Sequence, residues 1–147
     1  MTVSGVYIGV ARAALQCAAQ YARERVPTGL GKPIAELESI QRRLGQAEVL
    51  LHQARFLIYH TADMWDQQPD RRADLHESIL VTKYTATNNA VTAVDHCMRV
   101  IGGASMTKSL PIERYYRDVR GGLSHPVNDD MMYVMLGKMA LQRASEE

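Results

Sequence analysis

The sequence predicts an all-α fold, an antiparallel up-and-down helical bundle with two long central helices. Three observations carry this expectation. Apolar residues recur in steps of three and four over long stretches, the period of one helical face. The chain is rich in Ala and carries eight Met but only one Trp and one Phe. The breaks between periodic stretches are short and fall at Gly and Pro, and short connections make neighbouring helices antiparallel. At 147 residues the chain is long enough for a single domain with a sizeable core, so residues 1–147 read as one bundle.

Residues 3–25 read as the first helix, with Val6, Val10, Ala14, Cys17 and Tyr21 on one face. Gly5 and Gly9 lie four apart on one side, a pattern expected to pack closely against another backbone. Arg23 and Arg25 put positive charge at the helix's negative end. The run Val26-Pro27-Thr28-Gly29-Leu30-Gly31 is then a clear break.

Residues 35–67 read as the second helix, with the stripe Leu37, Ile40, Leu44, Ala47, Leu51, Ala54, Ile58, Ala62 and Trp65. Residues 71–101 read as a third helix of similar length. Leu75, Ile79, Thr82, Ala86, Asn89, Ala93, His96 and Val100 share its face, and the two polar members, Asn89 and His96, are expected to be hydrogen-bonded. Gly102 is a natural stop. A short helix over 110–119 opens at Pro111, and the pair Gly121-Gly122 reads as a turn leading to Ser124-His125-Pro126. The last helix, 128–145, has Asn128 as its cap, Asp129 and Asp130 at its positive end, and Met132, Leu136, Met139 and Ala140 as its apolar face.

The net charge of +1 gives no electrostatic argument for nucleic acid or an anionic membrane. No apolar run approaches the ~20 residues of a membrane span, and the N-terminus lacks the pattern of a signal peptide. Cys17 and Cys97 stand apart without metal-ligand spacing, which fits a reducing compartment. The expected location is therefore cytoplasmic. A metal-binding bundle would need Glu-x-x-His on two helices. Glu48 and His52 are four apart and His60 and Asp63 three apart, so these read as surface pairs and no metal is expected.

Three ordered motifs carry a resemblance. They are GVARAALQCAAQYARER in the first helix, GLGKPIAELESIQRRLGQAEVLLHQAR after it, and GG…PIERYYRD from Gly102 to Asp118. Together they resemble the C-terminal helical domain of the acyl-CoA dehydrogenase family, flavoproteins that bind FAD. The RDVRGGLSHPVNDD segment is most similar to the family's second branch, which includes flavin-dependent monooxygenases.

The resemblance implies an oxidoreductase domain that contacts FAD, with FMN the alternative, and joins subunits of a homodimer or homotetramer. It also implies an N-terminal helical domain and a β-domain outside this chain, and an acyl-CoA or other small organic substrate. By this similarity Arg25 matches an arginine that contacts the FAD pyrophosphate of a neighbouring subunit. Leu30-Gly31 stands where the family has Phe-Gly, and Gly102 and Gly103 match a glycine pair near the FAD adenosine. Arg99 replaces a glutamine; an arginine there can meet a phosphate or stay within the bundle.

Where most of the family places a catalytic glutamate, this chain has Pro126, preceded by His125, and no Asp or Glu lies between Asp118 and Asp129. His125 is therefore the expected catalytic residue of this segment. The competing expectation is a purely structural oligomerisation bundle without chemistry of its own.

Overall fold

The computed structural model describes residues 2–146, most of which are helical, with no strand among them. Five α-helices follow one another: α1 (Thr2–Glu24), α2 (Glu38–Gln67), α3 (His76–Ile101), α4 (Ile112–Ser124) and α5 (Asp129–Glu146). Short 3-10 turns at Ile34–Glu36, Pro69–Leu75 and Gly102–Met106 lie in the first three connections, and residues 125–128 join α4 to α5 without one.

The 30 residues of α2 make a rod about 45 Å long. α2 packs along α3, and Thr61 and Thr82 share a buried hydroxyl–hydroxyl hydrogen bond of 2.7 Å across that seam. The predicted stripe of α2 holds: Ala47, Leu51 and Ala54 are buried, and Ile40, Leu44 and Ile58 pack against the core. α3 is the centre of the bundle, packed against α1, α2 and α4. That position explains why it buries Leu80, Ala90, Val94 and Cys97 beyond the single predicted face.

The core is built on alanine. Ala11, Ala14, Ala18 and Ala22 of α1, Ala47 and Ala54 of α2, and Ala86, Ala90 and Ala93 of α3 are fully buried. Small side chains at a contact bring helix axes toward the near end of the ~8–10 Å range. Leu51, Ile112 and Val119 fill the larger spaces, each worth about 1.5–3 kcal/mol of burial.

Several expectations need correction. On α1 the buried face is Ser4, Tyr7, Ile8, Ala11, Ala14, Leu15 and Ala18, while Val6 is 62% exposed. A helix packed on both α3 and α4 must bury residues on either side of the predicted stripe, and Val6 falls outside that arc. Gly5 and Gly9 do not meet another backbone: a Cβ at either would find nothing within 4 Å. They instead open a groove of about 380 Å³ floored by Ile8, Leu51 and Ile58. The chain at Pro69–Leu75 is a kinked 3-10 segment, so α3 starts five residues later than expected. Ala140 is exposed, and Met132 is the one buried residue of α5.

The largest correction concerns α4. It runs to Ser124, through Gly121 and Gly122, where a turn was expected. A Cβ on Gly122 would lie 3.0 Å from both Thr87 Cγ2 and Tyr7 Cδ2, and one on Gly121 3.0 Å from the Tyr7 hydroxyl. These glycines let α4 press against α1 and α3; they do not turn the chain.

Candidate functional site

The up-down order sends α1 and α3 the same way, so both end at the bundle end where α2 begins. Five of the six candidate residues lie there. The Arg25 carbonyl accepts the Ile34 N–H at 3.0 Å, and its own N–H donates to the Tyr21 carbonyl at 2.9 Å, folding the connection back onto α1. The Arg25 side chain is exposed, and no carboxylate pairs with it among the described residues. Gly31 has φ +66° and Gly102 φ +69°, left-handed conformations that favour glycine. Gly102 ends α3, its N–H donating to the Met98 carbonyl. Around Gly31, Gly102 and Gly103 a Cβ would meet nothing within 4 Å, so bare backbone faces open space. Arg99 is engaged within its own helix, its Nε donating to Asp95 Oδ2 at 2.7 Å.

His125 belongs to the other half of the molecule. It follows the last residue of α4 with φ −66° and ψ 140°, the extended backbone that a following proline imposes. The ring is exposed, 5.8 Å from the Tyr7 ring centroid and tilted 54° to it. Along α1, Tyr7 and Arg25 are about 27 Å apart. The structure therefore brings Arg25, Gly31, Arg99, Gly102 and Gly103 to one end and keeps His125 away from them.

The charged cluster of α4 is placed by local pairs. Glu113 pairs with Arg117, and the Arg120 guanidinium stacks 3.6 Å from the Tyr116 ring centroid while donating to the Tyr116 carbonyl at 2.9 Å. Glu48 holds Arg12 at 3.3 Å and lies 3.8 Å from His52, the surface pairing expected of it.

Sequence reasoning missed what surrounds His125. Beyond the connection, Asn128 Oδ1 caps α5 by accepting the Met131 N–H at 3.0 Å, as expected. Asp129 does more than favour the helix's positive end. Its Oδ2 accepts from Asn88 Nδ2 at 3.0 Å, and its Oδ1 lies 3.5 Å from Lys83 Nζ. That charge contact lacks hydrogen-bond geometry, and neither atom has another partner. One helical turn further along α5, the Tyr133 hydroxyl donates to the Tyr84 hydroxyl at 2.8 Å. This bond, which favours the protonated phenol, pushes Tyr133 up to about 12. The available signal was the run Lys83-Tyr84 with Asn88 on α3, polar positions beside a buried face; their partners were too distant in sequence to be read.

Asn89 is hydrogen-bonded as expected, donating to the Leu50 carbonyl at 3.0 Å and to Gln53 at 3.2 Å. His96 is not: its Nδ1 is buried without a partner. Burial first, then the positive charge of Arg43, holds His96 below the usual histidine value, with Asp95 opposing. Cys97 is buried, and its thiol is pushed up to about 12 by desolvation, as an inert core residue would be.

No helix of the described chain is long and apolar enough to cross a membrane. The profile described as "Acyl-CoA dehydrogenase, C-terminal domain" matches residues 1–130. YdbM of Bacillus subtilis (strain 168), provisionally named an acyl-CoA dehydrogenase, is 38% identical over 140 residues, covering 95% of this chain and 36% of YdbM. The mitochondrial short-chain specific acyl-CoA dehydrogenase of Bos taurus is 32% identical over 77% of this chain and 26% of its own length. Among solved structures, the acyl-CoA dehydrogenase of Slackia heliotrinireducens DSM 20476 superposes with a TM-score of 0.81 at 25% identity, over 98% of this chain and 36% of that one. Nitroalkane oxidase, named a flavoprotein, superposes at 0.74 with 26% identity over 80% of this chain and 27% of its own. The chain thus spans about a third of the length of the curated relative YdbM. With the match spanning residues 1–130, the chain belongs to the family of acyl-CoA dehydrogenase C-terminal domains.

Proposed function

We propose that residues 1–147 act as the flavin-contacting, subunit-joining helical domain of an acyl-CoA dehydrogenase-like oxidoreductase, and that His125 is the residue its α4–α5 connection contributes to the chemistry. The observation that carries the second part is the placement of His125. It stands exposed at the end of α4, backed by Tyr7, in a segment without a carboxylate between Asp118 and Asp129.

The far end of the bundle suits a phosphate-bearing cofactor. Arg25 is an exposed cation without a carboxylate partner among the described residues, and Gly31, Gly102 and Gly103 offer backbone that a ligand can approach closely. FAD, named for the family, fits this donor set; FMN shares the phosphate chemistry. Arg99 is already neutralised by Asp95 and contributes less. When bound, the flavin would supply the redox chemistry, accepting or passing on electrons. Arg25 would hold negative charge, and the glycines would keep side chains out of its way.

His125 would move a proton. A neutral imidazole can accept one from a substrate, and a protonated imidazole can donate one. The substrate, an acyl-CoA or another small organic molecule, would be completed by parts of the protein outside this chain. The test is His125→Asn in the complete flavin-loaded protein. We expect turnover to fall about 10²–10⁴-fold with flavin content unchanged. Unchanged turnover would remove His125 from the mechanism.

A second reading, a structural bundle that only joins subunits, rests on exposed apolar side chains. Phe56, Tyr59 and Val49 of α2 and Leu141, Val134 and Met131 of α5 are each more than half exposed. Both readings predict self-association of this chain through such surfaces. A monomer by light scattering at high concentration would count against both, while flavin-dependent turnover that requires His125 favours the first.

A further inference from the structure

His125 sits between two anchors, and both rest on one stretch of α3. Three residues before it, Gly122 lies so close to Thr87 and Tyr7 that an added Cβ would be 3.0 Å from each. Four residues after it, Asp129 is held by Asn88 Nδ2 at 3.0 Å and Lys83 Nζ at 3.5 Å. Thr87 also ties back to this stretch, its hydroxyl donating to the Lys83 carbonyl at 3.0 Å. Lys83 and Asp129 keep only 16% and 24% of their side-chain surface, so their attraction is weakly screened. Their bare charge contact, with Nζ and Oδ1 otherwise unpartnered, is costly to separate. The apolar face of α5 adds little grip, since it buries Met132 alone, and the Arg143–Glu77 pair at 2.6 Å lies at the far end of the helix. The polar catch, supported by the Tyr84–Tyr133 bond, is what fixes the start of α5.

We propose that Lys83, Asn88 and Asp129 are positioning residues: they clamp the α4–α5 connection to α3 and thereby hold His125 against Tyr7. The proposal deepens the reading of His125 as the contributing group, but it concerns where the ring is held, not what it does. Without the catch, α4 and Gly122 still hold the connection from one side, while its other end is held to α3 only further along α5, by Met132 and the Tyr133–Tyr84 and Arg143–Glu77 pairs.

The test uses the 147-residue chain with Lys83→Met, Asp129→Asn and Lys83→Arg. The readouts are the ring signals of the five histidines by NMR and amide exchange at Met131 and Met132 at the start of α5. For Lys83→Met and Asp129→Asn we expect the His125 signal to move or broaden while those of His52, His60 and His96 stay. Exchange at Met131 and Met132, whose N–H groups are held by Asn128, should quicken about tenfold with α1–α3 unchanged. Lys83→Arg should restore both, since it keeps the charge. An unmoved His125 signal with unchanged local exchange overturns the proposal. So does a uniform change across all histidines and helices, which would mark Lys83 and Asp129 as general stabilisers only. Neither readout depends on His125 chemistry, so the clamp and the proton-transfer reading fail independently.

Discussion

The chain contains two Gly-Gly pairs that look alike in sequence and do opposite things. Gly102-Gly103 ends α3: Gly102 takes φ +69°, and open space surrounds both residues. Gly121-Gly122 lies inside α4, with Gly122 wedged between Thr87 and Tyr7. The first pair is needed for its backbone conformation, the second for its missing side chain. A pair of the first kind leaves backbone open to a ligand. A pair of the second kind spends the same freedom on packing and points the next residues, ending in His125, at a fixed place.

Alanine substitutions should separate these roles. Gly122→Ala, with Gly102→Ala, has the largest expected effect. Its Cβ would strike Thr87, a stiff β-branched side chain, and the buried Tyr7 ring, and overpacking of this kind costs about 1–3 kcal/mol. The gain of about 1 kcal/mol from replacing a helical glycine offsets only part of it. We expect a lower Tm. Gly102→Ala should cost about 1–3 kcal/mol, since φ +69° with ψ −143° is backbone that essentially only glycine adopts. Gly121→Ala meets only the Tyr7 hydroxyl at the side chain's far end, and Gly103→Ala meets nothing, so both should be close to neutral. Thermal unfolding of the four variants checks the ranking; equal losses at Gly121 and Gly122 would break the packing account.

A smaller effect distinguishes the two halves by pH. His96, near the end of α3, is held below its ordinary value of 6.5, so the folded state disfavours its protonation. Its contribution to stability is complete above about pH 6.5 and is lost as pH falls through the lower folded value, because the unfolded chain then binds the proton first. His96→Gln should flatten that part of the stability profile, measured by denaturant unfolding below pH 6.5, while His125→Gln should leave it in place.

Much of this was legible in the sequence. The stripe from Ile40 to Trp65 and the Gly102 stop stand where the spacing placed them, because a two-helix seam repeats with a period visible in any window. Asn128 was legible as a cap for the same local reason. The reach of α4 was not, since a glycine pair reads as a turn until its neighbours across the bundle are known. Gly5 and Gly9 were misjudged likewise: spacing marks a bare strip of helix but not whether anything covers it. For the site, the resemblance supplied His125 and the glycine end, whereas Lys83, Asn88 and Tyr7 became visible only when α3 and α1 were brought beside the connection.

In the function proposed, flavin contact and proton transfer fall to opposite ends of α1. The most direct measurement is flavin content per protein, by visible absorbance, together with turnover, for Arg25→Gln and His125→Asn in the complete protein. The account predicts that Arg25→Gln loses flavin, with turnover falling in proportion and restored by added flavin. It predicts that His125→Asn keeps its flavin and loses turnover about 10²–10⁴-fold, with no rescue. If His125→Asn sheds flavin as readily as Arg25→Gln, or Arg25→Gln keeps full flavin content, the two ends do not divide the work and the account is wrong.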